Sequence, residues 1–591
     1  MKQLGPLDSA FINLETKNTP QHIGALAIYD PSTAPGEFVR FKDVIESFDR
    51  RLQSMPLFRT RLQQVPGGMG RPYWVEHKDF DLEFHLRHIA LPQPGDWRQL
   101  WIQAARLHSR PIDMSHPLWE VYIIERLDNL KDVPKGAFAI YTKMHHSLVD
   151  GSQSQGFMQA LHDLEPTPPP VTDLGPSIRV VDNQPSGIEL LARAAASGVQ
   201  DARRKSKGVM NFGRKLVDYG NRIRSNELPM PEMRAPATRF NRPVGPHRVA
   251  EASVIPLDDF KFVKNVAGVT INDVAVSVVS GGMRKYLQHH SELPDEPLAA
   301  TMPLNMNTRG VTTTDNNNVG AMHSQIHTDI ADPFERLLKI NESINAAKLA
   351  SDVSPVTNLL NIAGEVSPWL SQSVARMWES NHLSKYIPLN VCTNISNVPG
   401  PNFPMYCAGA KLIRYHGLGL LTPGIGTFHL VFSNNGVITI TLLADRDIVP
   451  DPTFYRQCLD EAFAETLAAA KKISAQREAD VEKQLAQAVK PKRKAKAKAK
   501  VKAKPKAKAK SKSAPAANDK TKVKAKAKTK AVASETVNEK PKEKVAEPVK
   551  GAAVSESSLV AEVISTQTTA TAVDINSAVS KKVSEPVTQA G

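Results

Sequence analysis

The chain contains two stretches in which apolar strands alternate with amphipathic helices. In the first stretch, short apolar runs predict strands, and apolar residues three or four positions apart predict helices. The predicted strands cover residues 22–29, 119–125 and 138–144, and the predicted helices cover 41–52 and 152–164. We therefore expect residues 1–170 to form one mixed α/β lobe.

The second stretch, residues 240–475, repeats this alternation. Its predicted strands cover residues 299–304, 391–395, 427–433 and 437–443, and its predicted helices cover 271–287, 333–349 and 452–472. Asn434-Asn435-Gly436 separates the last two strands, and Asn-Gly between apolar runs is a strong hairpin signal. The second stretch is predicted to be another α/β lobe.

Residues 171–239 separate the two lobes and begin with a proline-rich, polar segment, which is typical of a linker. Residues 188–223 combine apolar positions with many Arg and Lys residues. They predict either a helix packed on the body with a solvated basic face, or a helix that contacts an anionic membrane. Large apolar residues also recur at helical spacing over 356–389, where the pattern favours core packing over lipid contact.

Positive charge is concentrated in the C-terminal tail. Residues 491–550 hold 22 Lys and Arg against 5 Asp and Glu, whereas the whole chain has a net charge of +15. Residues 488–591 contain few large apolar groups to offset the entropy of ordering, so we expect a disordered tail. Its Lys-Ala repeats would attract nucleic acid, polyphosphate or anionic lipid, or would only keep the protein soluble. The charge gives no reason to expect the two lobes to bind nucleic acid.

The three cysteines are widely spaced and form neither a disulfide framework nor a C-x-x-C metal pattern, which favours a reducing compartment. The N-terminus lacks the apolar stretch of a signal peptide, and no apolar run reaches the length of a membrane span. We expect a cytoplasmic protein that is soluble or bound to a membrane surface.

The candidate chemistry lies in His145-His146-Ser147-Leu148-Val149-Asp150-Gly151, directly after the predicted strand at 138–144. Successive side chains of an extended segment point to opposite faces, so one histidine faces a site and the other is structural. An imidazole at a strand end is a suitable general base, because its pKa is close to working pH. Asp150 would hold the loop or pair with a distant arginine, and Gly151 suits a sharp backbone bend.

The histidine pair has three other interpretations. A zinc site needs further ligands at a recognisable spacing, and the sequence offers none. A purely structural pair of histidines remains open from the motif alone. A Ser-His-Asp triad is disfavoured, because Ser147 lies next to His146 on the wrong face and the chain has no G-x-S-x-G motif.

Five motifs in order carry a family resemblance over about residues 4–470. They are the 5–15 segment Gly-Pro-Leu-Asp-Ser-Ala-Phe-Ile-Asn-Leu-Glu, Pro117-Leu118-Trp119, the His-His-x-x-x-Asp-Gly motif at 145–151, Asn272-Asp273, and Asn397-Val398-Pro399-Gly400-Pro401. The chain resembles the bacterial wax ester synthase/acyl-CoA:diacylglycerol acyltransferase family. That family lies within the superfamily of chloramphenicol acetyltransferase, carnitine acyltransferases and peptide-synthetase condensation domains. The Lys-Ala tail is not part of the family pattern.

The resemblance implies an α/β fold of two chloramphenicol acetyltransferase-like lobes, each a mixed sheet covered by helices, with the site in a channel between them. It also implies that His146 is the general base, that His145 and Gly151 complete the motif, and that no covalent enzyme intermediate forms. His146 would take a proton from an acceptor hydroxyl as that oxygen attacks an acyl-CoA thioester.

The resemblance gives further residues a role in the site. Asn272, with Asp273 beside it, is expected either to donate to the tetrahedral oxyanion or to cap the following helix. Asp150 is expected to be structural or orienting, with Arg309 as its partner. The expected channel residues are Pro117, Leu118, Trp119, Asn397, Pro399 and Gly400.

The resulting hypothesis is an O-acyltransferase that moves a long-chain acyl group from acyl-CoA to diacylglycerol or a long-chain alcohol. It needs no metal and no cofactor, and acyl-CoA is its co-substrate. The expected substrates are lipid-soluble, and the sequence predicts no transmembrane helix. Together these features favour peripheral association of the protein with the inner membrane or lipid inclusions. The alternatives are a carrier-protein-dependent acyl transfer or condensation enzyme, and a non-enzymatic lipid-droplet or nucleoid-binding protein that acts through the tail.

Overall fold

Two six-stranded mixed sheets dominate the part of the chain that the structure describes. A computed structural model describes residues 1–53, 55–68, 70–148, 158, 161–167, 185–196, 236–305, 319–353, 368–386 and 391–489, with a few positions between 214 and 227. The described residues belong to one compact unit, Met1–Arg493. The remaining unit, Lys494–Gly591, lies outside the described residues. Of the tail predicted over 488–591, only residues 488 and 489 are described, and they are helical.

The N-terminal sheet has the strand order β12-β13-β2-β7-β6-β5. Its strands are β2 (His22–Asp30), β5 (Leu86–Ala90), β6 (Trp119–Glu125), β7 (Phe138–His145), β12 (Tyr406–Cys407) and β13 (Ala410–Leu418). Neighbours are antiparallel except β5 and β6, which run parallel. A small separate sheet joins β1 (Lys2–Gln3), β3 (Thr60–Gln63) and β4 (Tyr73–Glu76) in the order β1-β4-β3.

Both faces of the N-terminal sheet are buried, which explains why its strands are continuous apolar runs. In β7, Phe138, Ile140 and Met144 pack into one apolar cluster, whereas Ala139 and Tyr141 pack into another on the opposite face. The three strands predicted in this lobe are therefore confirmed, with β2 and β7 each one residue longer than predicted.

The C-terminal sheet has the order β10-β9-β11-β14-β15-β8. Its strands are β8 (Arg248–Pro256), β9 (Ala299–Asn305), β10 (Val319–Gln325), β11 (Thr393–Pro399), β14 (Thr427–Asn434) and β15 (Val437–Asp445). The predicted hairpin joins β14 to β15. Asn435 and Gly436 there have φ of 43° and 84°, which is the left-handed backbone that a tight hairpin turn requires.

The two sheets exchange chain segments. The chain leaves the C-terminal sheet after β11, adds β12 and β13 to the N-terminal sheet beside β2, and then returns as β14, parallel to β11. Residues 240–475 therefore supply strands to both sheets. The exchange brings β13 next to β2, although nearly 400 residues of chain separate them.

Helices pack against the faces of the two sheets. They are α1 (Pro6–Leu14), α2 (Phe41–Leu52), α3 (Leu82–His85), α4 (Trp97–Ser109), α5 (Leu257–Ala267), α6 (Ile271–His289), α7 (Pro333–Val353), α8 (Pro368–Ser380) and α9 (Pro452–Val489). The helices predicted over 41–52, 271–287 and 333–349 are confirmed. The helix predicted over 152–164 lies mostly outside the described residues, and its predicted end was wrong, because residues 161–164 are not helical and Asp163 pairs with Tyr406 of β12.

The end predicted for the last helix, residue 472, was wrong. The helix α9 continues to Val489, and its described side chains beyond Ile473 are mostly exposed. The prediction stopped where the apolar stripe stops. The helix goes on because Ala, Gln, Glu and Lys all have high intrinsic helix propensity.

Two interpretations of amphipathic segments can be checked in part. In the basic segment at 188–223, residues 188–196 and the few described positions from 214 to 222 are helical, and Leu190 and Ala194 pack against Val65, Tyr73 and Val75. The core interpretation of 356–389 is wrong for its described helix, α8. The helix buries only Pro368 and Ala375. Four large apolar residues of the helix are 48–67% exposed: Trp369, Leu370, Val374 and Met377.

In the described part of the chain, no single helix is both long and apolar enough to cross a membrane. The helices α5 and α6 reach that criterion only when they are taken together, and they are bent by 101° at the break between them.

Candidate active site

The two motif histidines lie at the end of β7 and differ in environment. His145 is the last residue of the strand and is fully buried, whereas the side chain of His146 is half-buried. His146 continues the pairing of β7 with β2, because its backbone N–H donates to the carbonyl of Gln21 at 2.8 Å. The separation of the two histidines agrees with the alternation expected from an extended segment.

Hydrogen bonds hold the His145 ring on both sides. Its Nδ1 accepts from the backbone N–H of Ser147 at 3.1 Å and lies 2.7 Å from the Ser147 hydroxyl. Its Nε2 lies 3.1 Å from a carboxylate oxygen of Glu15. Because Nδ1 accepts the backbone hydrogen, the ring hydrogen belongs on Nε2, which donates it to Glu15. His145 therefore fixes the turn that carries His146.

Ser147, His145 and Glu15 have the composition of a catalytic triad but not its accessibility. Ser147 and His145 are each 0% exposed, and the serine contacts the ring through a bond within the turn. A nucleophile in this position could not meet a substrate. The geometry agrees with the sequence argument against a serine nucleophile and makes this set a structural clamp.

Glu15 ties the clamp to the neighbouring strand. The carboxylate oxygen that accepts from His145 also accepts from the backbone N–H of Gln21 at 3.0 Å. The carbonyl of the same Gln21 accepts from His146. One carboxylate therefore sets the position of the backbone on both sides of the candidate base.

The imidazole of His146 stacks on the ring of Phe11 in α1, with 4.1 Å between ring centroids and 21° between ring planes. An aromatic contact of this kind restricts the ring to one orientation. The stack places α1 directly over the candidate base.

The Pro117-Leu118-Trp119 motif supports the motif strand from its other side. The carbonyl of Leu118 accepts from the backbone N–H of His145 at 2.9 Å, and Trp119 pairs with Met144 across β6 and β7. The buried indole of Trp119 donates to the carbonyl of Phe58 at 2.8 Å and stacks on His85. In the described structure this motif packs behind the site.

A buried polar layer lies on the His145 face of the sheet. The Nε2 of His22 lies 2.7 Å from the carbonyl of His108, and the Nδ1 of His108 lies 2.8 Å from the hydroxyl of Tyr141. Burial holds the pKa of His22 well below its ordinary value and lowers the pKa of His108 to about 3. These two rings stay neutral at working pH, so they are structural and do not act as the base.

An ion pair completes this layer. The ammonium of Lys143 lies 2.8 Å from the carboxylate of Glu120 and donates to the carbonyls of Leu107 and Arg110. Burial lowers the pKa of Lys143, and the nearby carboxylate of Glu120 opposes that shift.

An apolar cavity of about 70 Å³ lies between the two sheets. Thr142 and Met144 of β7 line it, and they share the sheet face toward which His146 points by alternation. The opposite wall comes from the other sheet and includes Val398, Leu430 and Phe432. The lining reaches Met144, two residues before the candidate base on that face, and does not include His146 itself. The lining contains none of the six residues predicted to line a channel, although Val398 lies between two of them, Asn397 and Pro399.

The Asn272-Asp273 motif lies in the first turn of α6. The N-cap is Thr270, whose hydroxyl accepts from the backbone of Asp273, while the Asp273 carboxylate accepts from the backbone of Thr270. The interpretation of Asn272 as the cap is therefore wrong, because Thr270 already occupies that position.

Asn272 instead meets the second asparagine motif. The side-chain amide of Asn397 in β11 donates to the side-chain oxygen of Asn272, with 3.4 Å between the atoms. That contact uses the oxygen of Asn272, so its amide nitrogen is the atom that would donate to a substrate oxygen. The next residue of β11, Val398, lines the cavity.

Gly400 follows β11 where two backbones approach each other closely. A Cβ at this position would lie 2.1 Å from the carbonyl oxygen of Ser433 and 2.5 Å from the ring of Phe432. Pro399 is the last residue of β11, in register with Ser433. Only glycine allows this contact, which holds β11 against β14.

Asp150, Gly151 and Arg309 lie outside the described residues, so the predicted pairing of Asp150 with Arg309 stays a prediction. Within the described residues, no group of three or more His, Cys, Asp or Glu side chains could hold a metal ion.

Phe11 and Glu15 are the site residues that the motif analysis did not single out. Both lie in the 5–15 segment that carries part of the resemblance. Their spacing of four residues, with Glu15 just after α1, was the available signal. It gave no indication that the segment folds onto a histidine more than 130 residues away.

The sequence matches two models of one protein family. The catalytic-domain model of the wax ester synthase/diacylglycerol acyltransferase family matches residues 4–275, and the C-terminal-domain model of that family matches residues 316–466.

Individual relatives cover most of the two lobes. The Mycobacterium tuberculosis protein tgs2, named a probable diacylglycerol O-acyltransferase, is 30% identical over 454 residues, which is 76% of this chain and 95% of the relative. The O-acyltransferase WSD of Acinetobacter baylyi is 29% identical over 460 residues, or 76% and 93% of the two chains.

Among solved structures, a wax ester synthase/diacylglycerol acyltransferase from Marinobacter aquaeolei VT8 matches with a TM-score of 0.55 and 26% identity, over 80% of this chain and 100% of that one. The order of the motifs, the two-sheet fold and both domain matches lead to one conclusion: the chain belongs to the wax ester synthase/diacylglycerol acyltransferase family.

Proposed function

We propose that this protein transfers a long-chain acyl group from acyl-CoA to the hydroxyl of diacylglycerol or a long-chain alcohol, forming triacylglycerol or a wax ester. The observation that carries the proposal is the placement of His146. It lies at a strand end, its ring is oriented by Phe11, and it is on the sheet face that lines an apolar cavity between the lobes.

In the proposed reaction, His146 removes the proton of the acceptor hydroxyl while that oxygen attacks the thioester carbonyl. The tetrahedral intermediate then collapses, the C–S bond breaks, and the imidazolium returns the proton to the departing CoA sulfur. The ester and CoA are the products, and no group becomes attached to the enzyme. General-base assistance contributes about 10²–10⁴-fold to such a step.

The arrangement of the described residues supports this mechanism. His145 is held as a buried clamp by Ser147 and Glu15, so His146 is the member of the pair whose ring lies on the cavity face of the sheet. Asn272 would donate its amide hydrogen to the oxyanion, a term of about 3–4 kcal/mol in measured cases. The reaction needs no metal and no cofactor beyond acyl-CoA as co-substrate.

The cavity supports an apolar chain as ligand. Its volume of about 70 Å³ is below the roughly 300–1,000 Å³ of complete small-molecule pockets, so it would hold part of a chain within a longer channel. Substrates of this class partition into lipid. We therefore place the protein in the cytoplasm, associated peripherally with the inner membrane or lipid inclusions.

The test is acyl transfer from labelled palmitoyl-CoA by purified protein, with hexadecanol and dioleoylglycerol as acceptors. We expect ester formation that falls by about 10²–10⁴-fold in His146→Ala. His290→Ala is the matched control, because His290 is also half-buried and also contacts an aromatic ring, Tyr286. An absence of ester with either acceptor would contradict the proposal. Ester formation that persists in His146→Ala would contradict the assignment of the base.

A further inference from the structure

The helix α8 carries an apolar surface that no other described part of the chain covers. Leu370, Val374 and Met377 recur at intervals of four and three residues, and Trp369 flanks them. These four side chains are between 48% and 67% exposed. Single exposed apolar residues are ordinary, but a contiguous group on one helix marks an interaction surface. We call these four residues, together with the exposed Arg376, the α8 face.

The charges of α8 are divided between its two sides. Arg376 is exposed beside Met377, whereas the single acidic residue of the helix, Glu379, is turned toward the body. The Glu379 carboxylate accepts from the hydroxyl of Thr16 and from the backbone N–H of Asn18, each at 3.0 Å. The outward side of the helix is therefore apolar with a positive charge.

The α8 face lies close to the candidate base. The helix α8 packs against α1, and Phe11 of α1 stacks on His146. Glu379 holds the loop that follows α1, and this loop continues to Gln21, whose carbonyl accepts from His146. One helix thus separates the exposed apolar surface from the reacting centre.

We propose that the α8 face docks the protein on a phospholipid surface and brings the entrance of the site to the lipid that holds the acceptor. The inference rests on the proposed function, since only a lipid-dissolved acceptor requires such docking. An indole with aliphatic neighbours and a basic residue is the composition of a helix that lies in a membrane interface. Arg376 would meet lipid phosphates there.

A second copy of this chain fits the α8 face less well. A twofold contact places the same surface on both partners, so it would bring two Arg376 side chains toward each other within an apolar patch. Glu379 could not pair with them, because it is engaged with Thr16 and Asn18. A phospholipid surface supplies the missing negative charge.

The test uses the full-length chain and neutral phosphatidylcholine vesicles. Neutral vesicles in high salt remove the electrostatic attraction of the Lys-rich tail, so that recovery by flotation reports apolar insertion. The test variant replaces Trp369, Leu370, Val374 and Met377 with Ser. The control variant replaces four exposed apolar residues elsewhere, Phe38, Val254, Leu338 and Leu349, with Ser.

We expect the α8 variant to lose vesicle binding by about tenfold or more, while the control variant binds like the unmodified protein. Turnover of dioleoylglycerol in vesicles should fall in parallel. Turnover of hexanol, which dissolves in water, should be unchanged in the α8 variant, and this also shows that the variant folds.

Equal flotation of the α8 variant and the unmodified protein would overturn the docking proposal. So would an unmodified protein that fails to float and forms α8-dependent dimers in solution, which would assign the face to a second copy. Failure of the proposed function gives a different result, because the unmodified protein would then turn over neither hexanol nor dioleoylglycerol, whatever its vesicle binding.

Discussion

Two histidines, one associated with an interior strand of each six-stranded sheet, differ in their surroundings. His429 lies within β14 of the C-terminal sheet and is fully buried. Its ring nitrogens lie 2.9 Å from the hydroxyl of Thr393 and 2.8 Å from the hydroxyl of Tyr455. Burial lowers its pKa to about 3, so the ring remains neutral.

His146 follows β7 of the N-terminal sheet and is half-buried, with a stacking contact on one side. The comparison shows what makes a histidine available for chemistry in this fold. A ring within a strand between two covered faces becomes part of the core. A ring one residue past the strand end is held by the same sheet, on the face that lines the cavity, and is only partly buried.

If the reacting centre lies beside His146 and not beside His429, the proposed oxyanion donor Asn272 should matter for turnover. Its replacement is expected to have the largest effect of the next three tests. We expect Asn272→Ala to lower kcat by about 10²–10³-fold, because the oxyanion would lose its donor, with little change in melting temperature. Thr270→Ala is the matched control in the same helical turn. Loss of its cap should cost about 1 kcal/mol of stability and leave kcat unchanged. If Asn272→Ala retained full kcat, the asparagine would be structural.

A second test removes the carboxylate that supports the base. We expect Glu15→Ala to lower kcat by up to about 10²-fold with little change in KM, because a shift of about 1 Å in His146 misaligns proton transfer. Glu15→Gln should restore most of the rate, since an amide oxygen can accept the same two hydrogen bonds. Steady-state kinetics of both variants provide the measurement. A KM effect alone would place Glu15 in substrate binding instead.

The smallest effect is on stability against pH. Burial lowers the pKa values of His108, His416 and His429 to about 3, below the 6.5 or so of an unfolded histidine. Between about pH 3 and pH 6.5 the unfolded chain therefore binds more protons than the folded chain. The free energy of unfolding should therefore fall as pH drops below about 6.5, by up to about 1.4 kcal/mol per unit for each ring.

One carboxyl opposes that trend. Burial raises the pKa of Glu251 to about 7, so its contribution is present at low pH and is lost as pH rises from about 4.5 through 7. The three histidines outweigh it below pH 6. Denaturant unfolding at pH 7 and pH 5 measures how steeply the unfolding free energy changes with pH. His429→Phe should reduce this slope by the contribution of one histidine ring. An unchanged slope in that variant would show that His429 already titrates normally.

Local sequence patterns predicted most of the strands and helices. They did not predict which strands pair when the strands are far apart in the chain. The apolar runs of β2, β6 and β7 and the Asn435-Gly436 turn are determined by neighbouring residues. The sheet to which β13 belongs depends on β2, far away in the chain, and no local pattern specifies that partner.

The same limit applied to the site. The motif and the alternation of side chains singled out His146 and separated it from His145. Phe11 and Glu15 reach the base only through tertiary folding, and α8 has the spacing of a core helix although nothing in the described structure covers its outer face. Helical spacing shows that a face is apolar but not what lies against it.

The most direct test of the contrast between the two histidines measures turnover and unfolding free energy for His146→Ala and His429→Ala side by side. We predict that His146→Ala loses about 10²–10⁴-fold in turnover and no more than about 1 kcal/mol of stability. His429→Ala should lose about 2–4 kcal/mol of stability, because it leaves two buried hydroxyl groups and a cavity, while its folded fraction keeps its turnover. Retained turnover in His146→Ala, or a turnover loss confined to His429→Ala, would contradict the account.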